Sequence, residues 1–383
     1  MVRRSTRKTA LPFDIPSPLL SNDINNANVI LEVPLNAFRW RVEAIPILVA
    51  IVLAACTPSS GDTSNGAGQP VPLRLGYFPT VTHATAIVGI EKGIFAEALG
   101  AGVSLEPQAF NAGPEVVEAI FSGALDASYL GPNPAINAFV RSKGAAIRII
   151  AGSTSGGAAL VVRKGIASPR DLAGATLATP QLGNTQDVAL RAWLTAQGFT
   201  TDLEGGGDVS IQPQTNGQAL EAFIGGHIDG AWVPEPWATR MVEEGGGRVL
   251  VDERDLWPAG QFVTTHLVVA TAFLEQHPEL VKRLLVGHVA ATAFVNEHPV
   301  EARAIVGAAI ADLTGAELPS GVLLAAWKNL TFTVDPIASS LMVSATHAKD
   351  LGLLDNDDLS GIYELKLLNQ VLGEAGMPTI ASP

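Results

Sequence analysis

Ala119-Ile120-Phe121-Ser122-Gly123-Ala124-Leu125-Asp126-Ala127-Ser128-Tyr129-Leu130 runs into Gly131-Pro132-Asn133-Pro134, and about one hundred residues later Ala222-Phe223-Ile224-Gly225-Gly226-His227-Ile228-Asp229-Gly230-Ala231-Trp232-Val233 runs into Pro234-Glu235-Pro236-Trp237. Each stretch reads as a helix end, a glycine turn, an aspartate, a short strand and a Pro-x-Pro loop. A second pair shares another plan, strand, loop and helix start. Leu73-Arg74-Leu75-Gly76-Tyr77 leads through a loop with Pro79 to a helix from Thr82 or His83. Ala175-Thr176-Leu177-Ala178-Thr179 leads through Pro180-Gln181-Leu182-Gly183-Asn184 to a helix over residues 185–194. Short strands alternating with amphipathic helices predict an α/β protein. Two units of one plan predict two lobes of like topology, each offering loops at its strand ends, where ligands sit in open α/β sheets.

Two apolar runs, residues 158–163 and 265–270, bracket enough chain for one lobe, so they are expected to be crossing strands that join the lobes and act as a hinge. Lobe 1 is then discontinuous, residues 72–160 and 264–383, and lobe 2 is residues 161–263. Helical stretches over residues 278–297, 299–313 and 335–351 are expected to pack on lobe 1.

The 383 residues exceed one ordinary core, and 47% hydrophobic against 16% charged residues fits a packed body. A net charge of −13 argues against nucleic-acid binding, which needs clustered Lys and Arg. The single cysteine, Cys56, excludes an internal disulfide and a cysteine metal cluster. It ends Leu53-Ala54-Ala55-Cys56, after an apolar run shorter than the ~18 residues that span a bilayer, with Arg39 and Arg41 upstream. This resembles a bacterial lipoprotein signal over residues 1–56, with Cys56 as the lipid attachment site. Residues 57–71, rich in Gly, Ser, Thr and Pro, form a flexible tether. The expected location is the periplasm or the outer face of the cytoplasmic membrane. The stretch before residue 39 is longer and more polar than such a signal needs, and no function is read in it.

Gly183-Asn184-Thr185-Gln186 at a helix start can cradle an anion, because the first N–H groups of a helix are unpaired and its dipole favours negative charge there. Pro79-Thr80-Val81-Thr82-His83 offers the same geometry with hydroxyls. Thr82, Asn184 and Thr185 also fit plain helix caps. Further donors lie in Asn111-Ala112-Gly113, around Asn133, and in Ser153-Thr154-Ser155 before the first crossing strand. Trp232 and Glu235 would set an aromatic wall beside a carboxylate, unless Trp232 is core. The seven histidines show no metal-ligand spacing, and no G-x-S-x-G, phosphate loop or cysteine nucleophile is present. No catalytic residue, metal or cofactor is expected.

Leu73-Arg74-Leu75-Gly76-Tyr77-Phe78-Pro79, Glu91-Lys92-Gly93-Ile94-Phe95, Leu125-Asp126-Ala127, Gly183-Asn184-Thr185-Gln186-Asp187 and residues 228–237 resemble the sulfonate/nitrate/taurine group of solute-binding proteins that serve ABC importers, the aliphatic-sulfonate receptors above all. The resemblance implies a type II periplasmic-binding-protein fold, a monomer closing on a small anion and delivering it to an ABC permease with its ATPase. It implies ligand-facing roles for Thr82, His83, Asn111, Gly113, Asn133, Ser153, Thr154, Ser155, Asn184, Thr185, Trp232 and Glu235. Nitrate, taurine or another small anion stays open as the ligand, as does an enzyme or sensor on the same scaffold. The related fungal pyrimidine-precursor enzymes carry a cysteine-rich segment and iron-binding histidines that do not occur in this sequence.

Overall fold

The computed structural model describes residues 70–381. The expected signal, Cys56 and nearly all of the tether lie outside the described residues.

Eleven strands are present among the described residues: β1 Val71–Tyr77, β2 Val103–Ala109, β3 Ala127–Leu130, β4 Ile147–Gly156, β5 Ala158–Val162, β6 Thr176–Thr179, β7 Ser210–Pro213, β8 Gly230–Pro234, β9 Arg248–Asp252, β10 Val263–Ala270 and β11 Leu330–Phe332. The helices are α1 Ala84–Glu91, α2 Ile94–Leu99, α3 Gly113–Phe121, α4 Pro132–Arg141, α5 Thr185–Ala196, α6 Asn216–Gly225, α7 Trp237–Glu243, α8 Thr271–Gln276, α9 Pro278–Glu297, α10 Pro299–Thr314, α11 Ser320–Trp327, α12 Ala338–Asp350 and α13 Lys366–Glu374. The strands form two sheets, in the orders β11-β4-β10-β3-β1-β2 and β7-β6-β8-β5-β9. In the first, β1 lies parallel to β2 and β3, while β10 runs antiparallel to β3 and β4. In the second, β6 lies parallel to β7 and β8, while β5 runs antiparallel to β8 and β9. Both sheets are covered on both faces, which explains why β3, β5 and β8 are buried at every residue.

The chain crosses between the sheets twice, but not on the expected strands. Residues 158–162 belong wholly to the second sheet and residues 265–270 to the first. The first crossing is Gly156-Gly157, whose φ angles of +78° and +74° break one long β run in two. The return is the segment 253–262. Asn329 and Glu235 link the two crossings: Asn329 Oδ1 accepts from Arg254 Nη2 at 3.2 Å, its Nδ2 donates to Glu235 Oε1 at 2.6 Å, and Glu235 N donates to the Gly157 carbonyl at 2.8 Å. The helix expected from residue 335 begins at Ala338, because Pro336 and a left-handed Ile337 (φ +47°) precede it.

Two buried histidines serve the first sheet as neutral hydrogen-bond bridges. His288 accepts from the Tyr129 hydroxyl at 2.8 Å through Nδ1 and donates to the Gly152 carbonyl at 2.8 Å through Nε2. His266 Nε2 donates to the Pro336 carbonyl at 3.0 Å. Burial pushes both imidazoles down to about 4.

Two predictions follow from these contacts. A Cβ on Gly157 would meet Leu330 Cδ2 at 2.1 Å in addition to its positive φ. Gly157→Ala is therefore expected to lower unfolding free energy by about 2 kcal/mol or more in urea titration, whereas Gly373→Ala in α13, with open space around it, is neutral or stabilising by up to ~1 kcal/mol. The unfolded chain protonates its histidines near pH 6.5, while His266 and His288 do so only near 4 and the buried His83 only near 3. The unfolded state thus binds more protons between those values, so stability is flat above pH ~6.5 and falls below it, by on the order of 2 kcal/mol per histidine at pH 5. Glu253, raised to about 7 by burial, titrates with the opposite sign, so the loss is read most cleanly from urea midpoints of Glu253→Gln between pH 7 and 5.

Candidate functional site

The carboxyl ends of β1, β2, β3, β6 and β7 all lead into loops that begin helices, and these loops meet between the two sheets. There a cavity of about 40 Å³ is lined by Phe78, Thr80, Thr82 and His83 ahead of α1, by Asn111, Ala112 and Gly113 at the start of α3, and by Gly131 and Pro134 at the start of α4. The second sheet contributes Pro180, Asn184, Thr185 and Gln186 at the start of α5, Asn216 at the start of α6, and Pro234; Thr264 and Thr265 come from β10. Five helix amino-termini therefore converge on one small space, each equivalent to roughly half a positive charge. Among the described residues no Lys or Arg lines it. A negative group here would be held by main-chain N–H groups, hydroxyls and amides.

The start of α5 shows how such a loop is made rigid. Asn184 caps the helix by accepting from Asp187 N at 2.9 Å, which leaves the N–H groups of Thr185 and Gln186 without an intrahelical partner. Below the loop, the Asp187 carboxylate accepts from Gly183 N and Thr179 Oγ1 at 2.9 Å and from Arg191 Nε at 3.0 Å, a fully buried ion pair. α3 and α4 have no side-chain cap; Pro114, Pro132 and Pro134 carry no N–H, so the main-chain donors of these first turns are Gly113 and Glu115 in α3 and Asn133 in α4.

Across the cavity, His83 stacks on Phe78 with ring centroids 4.4 Å apart and accepts from Phe78 N through Nδ1 at 3.2 Å. Burial pushes its imidazole down to about 3, so the ring is neutral and carries its proton on Nε2, as a donor. Thr80 and Thr82 share a hydroxyl hydrogen bond at 2.9 Å, and Thr154 Oγ1 donates to the Thr82 carbonyl at 2.6 Å. Two buried lining atoms, Thr265 Oγ1 and Asn216 Oδ1, have no protein partner. The two sheets' loops touch here: a Cβ on Gly131 would lie 2.5 Å from Thr185 Oγ1, and Val188 of α5 packs among buried residues of the first sheet's body.

Thr82, His83, Asn111, Gly113, Asn184 and Thr185 are thus brought together at the cavity. The other expected ligand residues are not. Asn133 donates to the Ser344 carbonyl at 3.3 Å and packs against α12. Ser153, Thr154 and Ser155 are buried within β4, where Ser155 Oγ accepts from Phe262 N at 3.3 Å. Trp232 lies in the core of the second sheet, edge-on to Trp193 and donating to Glu253 at 2.8 Å, because alternation along β8 sends it to the face packed against α5. Glu235 turns away from the cavity, and Thr239 N and Oγ1 of α7 and Asn329 Nδ2 donate to it. Burial raises its carboxyl. Asn216 and Thr265 escaped the sequence reading. The Thr215-x-x-Gln218 capping box, whose hydrogen bonds form in the structure, was the signal for Asn216.

Asn111 and Asn216 also line two adjoining cavities. One, about 620 Å³, is walled by Phe110, Leu220, Trp237, Ile310, Leu313 and Leu318, with Arg240 stacked on Trp237 at 4.9 Å. The other, about 230 Å³, is polar, lined by Glu115, Gln181, Gln214, Thr215 and Gln218 among others.

Comparison with known proteins agrees with this architecture. The taurine-binding periplasmic protein of Escherichia coli (strain K12) is 30% identical over 184 residues, 47% of this chain and 54% of that protein. The chain thus spans about half the length of that curated relative. The alkanesulfonate-binding protein of Xanthomonas axonopodis pv. citri, solved bound to MOPS, superposes with a TM-score of 0.65 at 17% identity, over 78% of this chain and 99% of that one. The periplasmic nitrate-binding protein of Synechocystis PCC 6803 gives 0.65 at 16% identity, over 81% and 90%. These likenesses assign the periplasmic-binding-protein fold, and the three proteins are named as binding proteins. Residues 66–311, more than half of the sequence, match the model of the NMT1-like family, and the chain belongs to that family.

Proposed function

We propose that this chain is the extracytoplasmic solute receptor of an ABC importer for small oxyanions of the sulfonate, nitrate or taurine type, with an organic sulfonate as its ligand. The observation that carries this is the meeting of five helix amino-termini, a neutral histidine N–H and several hydroxyls at one cavity between two sheets, with no cationic side chain lining it among the described residues. A three-oxygen head matches many convergent donors. The adjoining cavities at Asn111 and Asn216 leave room for an organic tail, which nitrate lacks. The names of the taurine- and alkanesulfonate-binding relatives support the same ligand class.

In this proposal the body of the first sheet, residues 72–155 with 263–383, and that of the second, residues 158–252, are two lobes hinged at Gly156-Gly157 and at the return segment 253–262. The ligand touches both lobes only when they are together, so binding shifts the population toward the closed form, and the closed form docks on a permease driven by its ATPase. The receptor acts as a monomer, tethered by lipid on Cys56 at the outer face of the cytoplasmic membrane or in the periplasm.

Thr185→Val keeps the shape at the start of α5 and removes one hydroxyl donor. It is expected to weaken propane-1-sulfonate binding about tenfold in isothermal titration, since a hydrogen bond to a charged group is worth ~1.5–3 kcal/mol, with the urea midpoint unchanged; wild-type affinity would exclude this loop from the site. Cys56→Ser is expected to move the protein from the membrane to the soluble fraction, and continued membrane retention would refute the anchor.

A further inference from the structure

Building on the oxyanion site proposed above, we propose that the solute carries a hydroxylated tail and that this tail lies in the polar side cavity rather than in the larger apolar one. Three buried side-chain atoms lining the polar cavity have no hydrogen-bond partner in the protein: Gln181 Oε1, Gln214 Nε2 and Asn216 Oδ1. Buried polar atoms are nearly always paired, because leaving one unmade costs the desolvation of that group.

Folding does not use these three amides for anything else. The start of α6 is capped by Thr215 and Gln218, whose side chains satisfy each other's backbone N–H groups. Gln214 and Asn216, on either side of that cap, are left over. Gln181 sits in the loop that the Asp187 carboxylate pins from below through Gly183. The arrangement is thus a rigid wall of two acceptors and one donor, and turning an amide over exchanges the roles without removing either kind.

The chemistry of the wall selects the tail. A hydroxyl both donates and accepts, so two or three of them can meet all three atoms. An alkyl or aryl tail would bury the same atoms unpaired. An ammonium only donates, which leaves Gln214 Nε2 unmet. The carboxylate on this cavity, Glu115, is exposed and already accepts from Asn111 N at 3.3 Å, so it offers no buried counter-charge. Asn216 lines both the head cavity and the polar cavity, and so faces the first hydroxyl beyond the anionic head.

The test is isothermal titration of the full-length protein with four probes: 2,3-dihydroxypropane-1-sulfonate, propane-1-sulfonate, 3-aminopropane-1-sulfonate and benzenesulfonate. The diol is expected to bind at least about tenfold more tightly than propane-1-sulfonate of equal chain length. The Gln181→Met/Gln214→Met variant is expected to bring the two within about twofold, with propane-1-sulfonate binding as tightly as before or more tightly because no amide is then buried unpaired against its alkyl tail. A diol that binds no better than propane-1-sulfonate, tighter binding of the amino or benzene probe, or an unaltered preference in the variant would overturn the hydroxylated tail and leave the oxyanion site standing. Failure of all four probes to bind would overturn both.

Discussion

An anion taken out of water must be met by partners that replace its hydration, and the cavity between the sheets offers such partners without a lining Lys or Arg among the described residues. In the proposed function, partial charges on helix amino-termini take that place. That constraint accounts for much of the architecture. Parallel strands deliver their carboxyl ends to one side, each end feeds a helix whose free N–H groups face back, and two such sheets opposed across a gap double the number of donors. The strong net acidity of the chain, −13, is compatible with anion binding for the same reason: long-range attraction is absent, and short-range geometry in a dry space is sufficient.

Neutral donors are effective only if they cannot turn away, and the surroundings of the cavity are built to prevent that. The Asp187–Arg191 pair is buried where hydrophobic residues would ordinarily pack. Such a pair is weak evidence for stability, but its carboxylate fixes Gly183 and the strand residue Thr179 in one frame with the α5 cap. On the other side Thr154 holds the Thr82 carbonyl and Phe78 holds the His83 ring. Thr154 was expected to touch ligand; its placement gives it a supporting role one layer behind. The crossings follow a similar logic: Glu235 and Asn329 are bonded beside them, and Gly156 and Gly157 approach Asn329 and Leu330 too closely for a side chain.

The strand-loop-helix repeats made the α/β class and the cavity loops legible from sequence, because a cap residue, a glycine turn and a β run are local signals. Thr82, His83, Asn184 and Thr185 were found for that reason. Trp232 and Glu235 were misplaced because their orientation depends on which face of β8 meets the core and on where the chain turns after Pro234, facts set by tertiary packing. Asn133 looked like a cleft residue by its position in a Pro-x-Pro loop, yet α12, distant in sequence, claims its amide. The first crossing was displaced from the expected strand 158–163 because two left-handed glycines just before it already carry the chain over, a conformation that composition alone does not reveal.

The account stands on where the anionic head sits. Crystals grown with 2-bromoethanesulfonate give that position directly, since the sulfur and bromine anomalous signals mark head and tail separately. The account predicts the sulfur peak in the cavity between Thr185 and His83, within hydrogen-bonding distance of donors from both sheets. A sulfur peak on the outer surface, or beside a Lys or Arg with no contact to the start of α5, would contradict it.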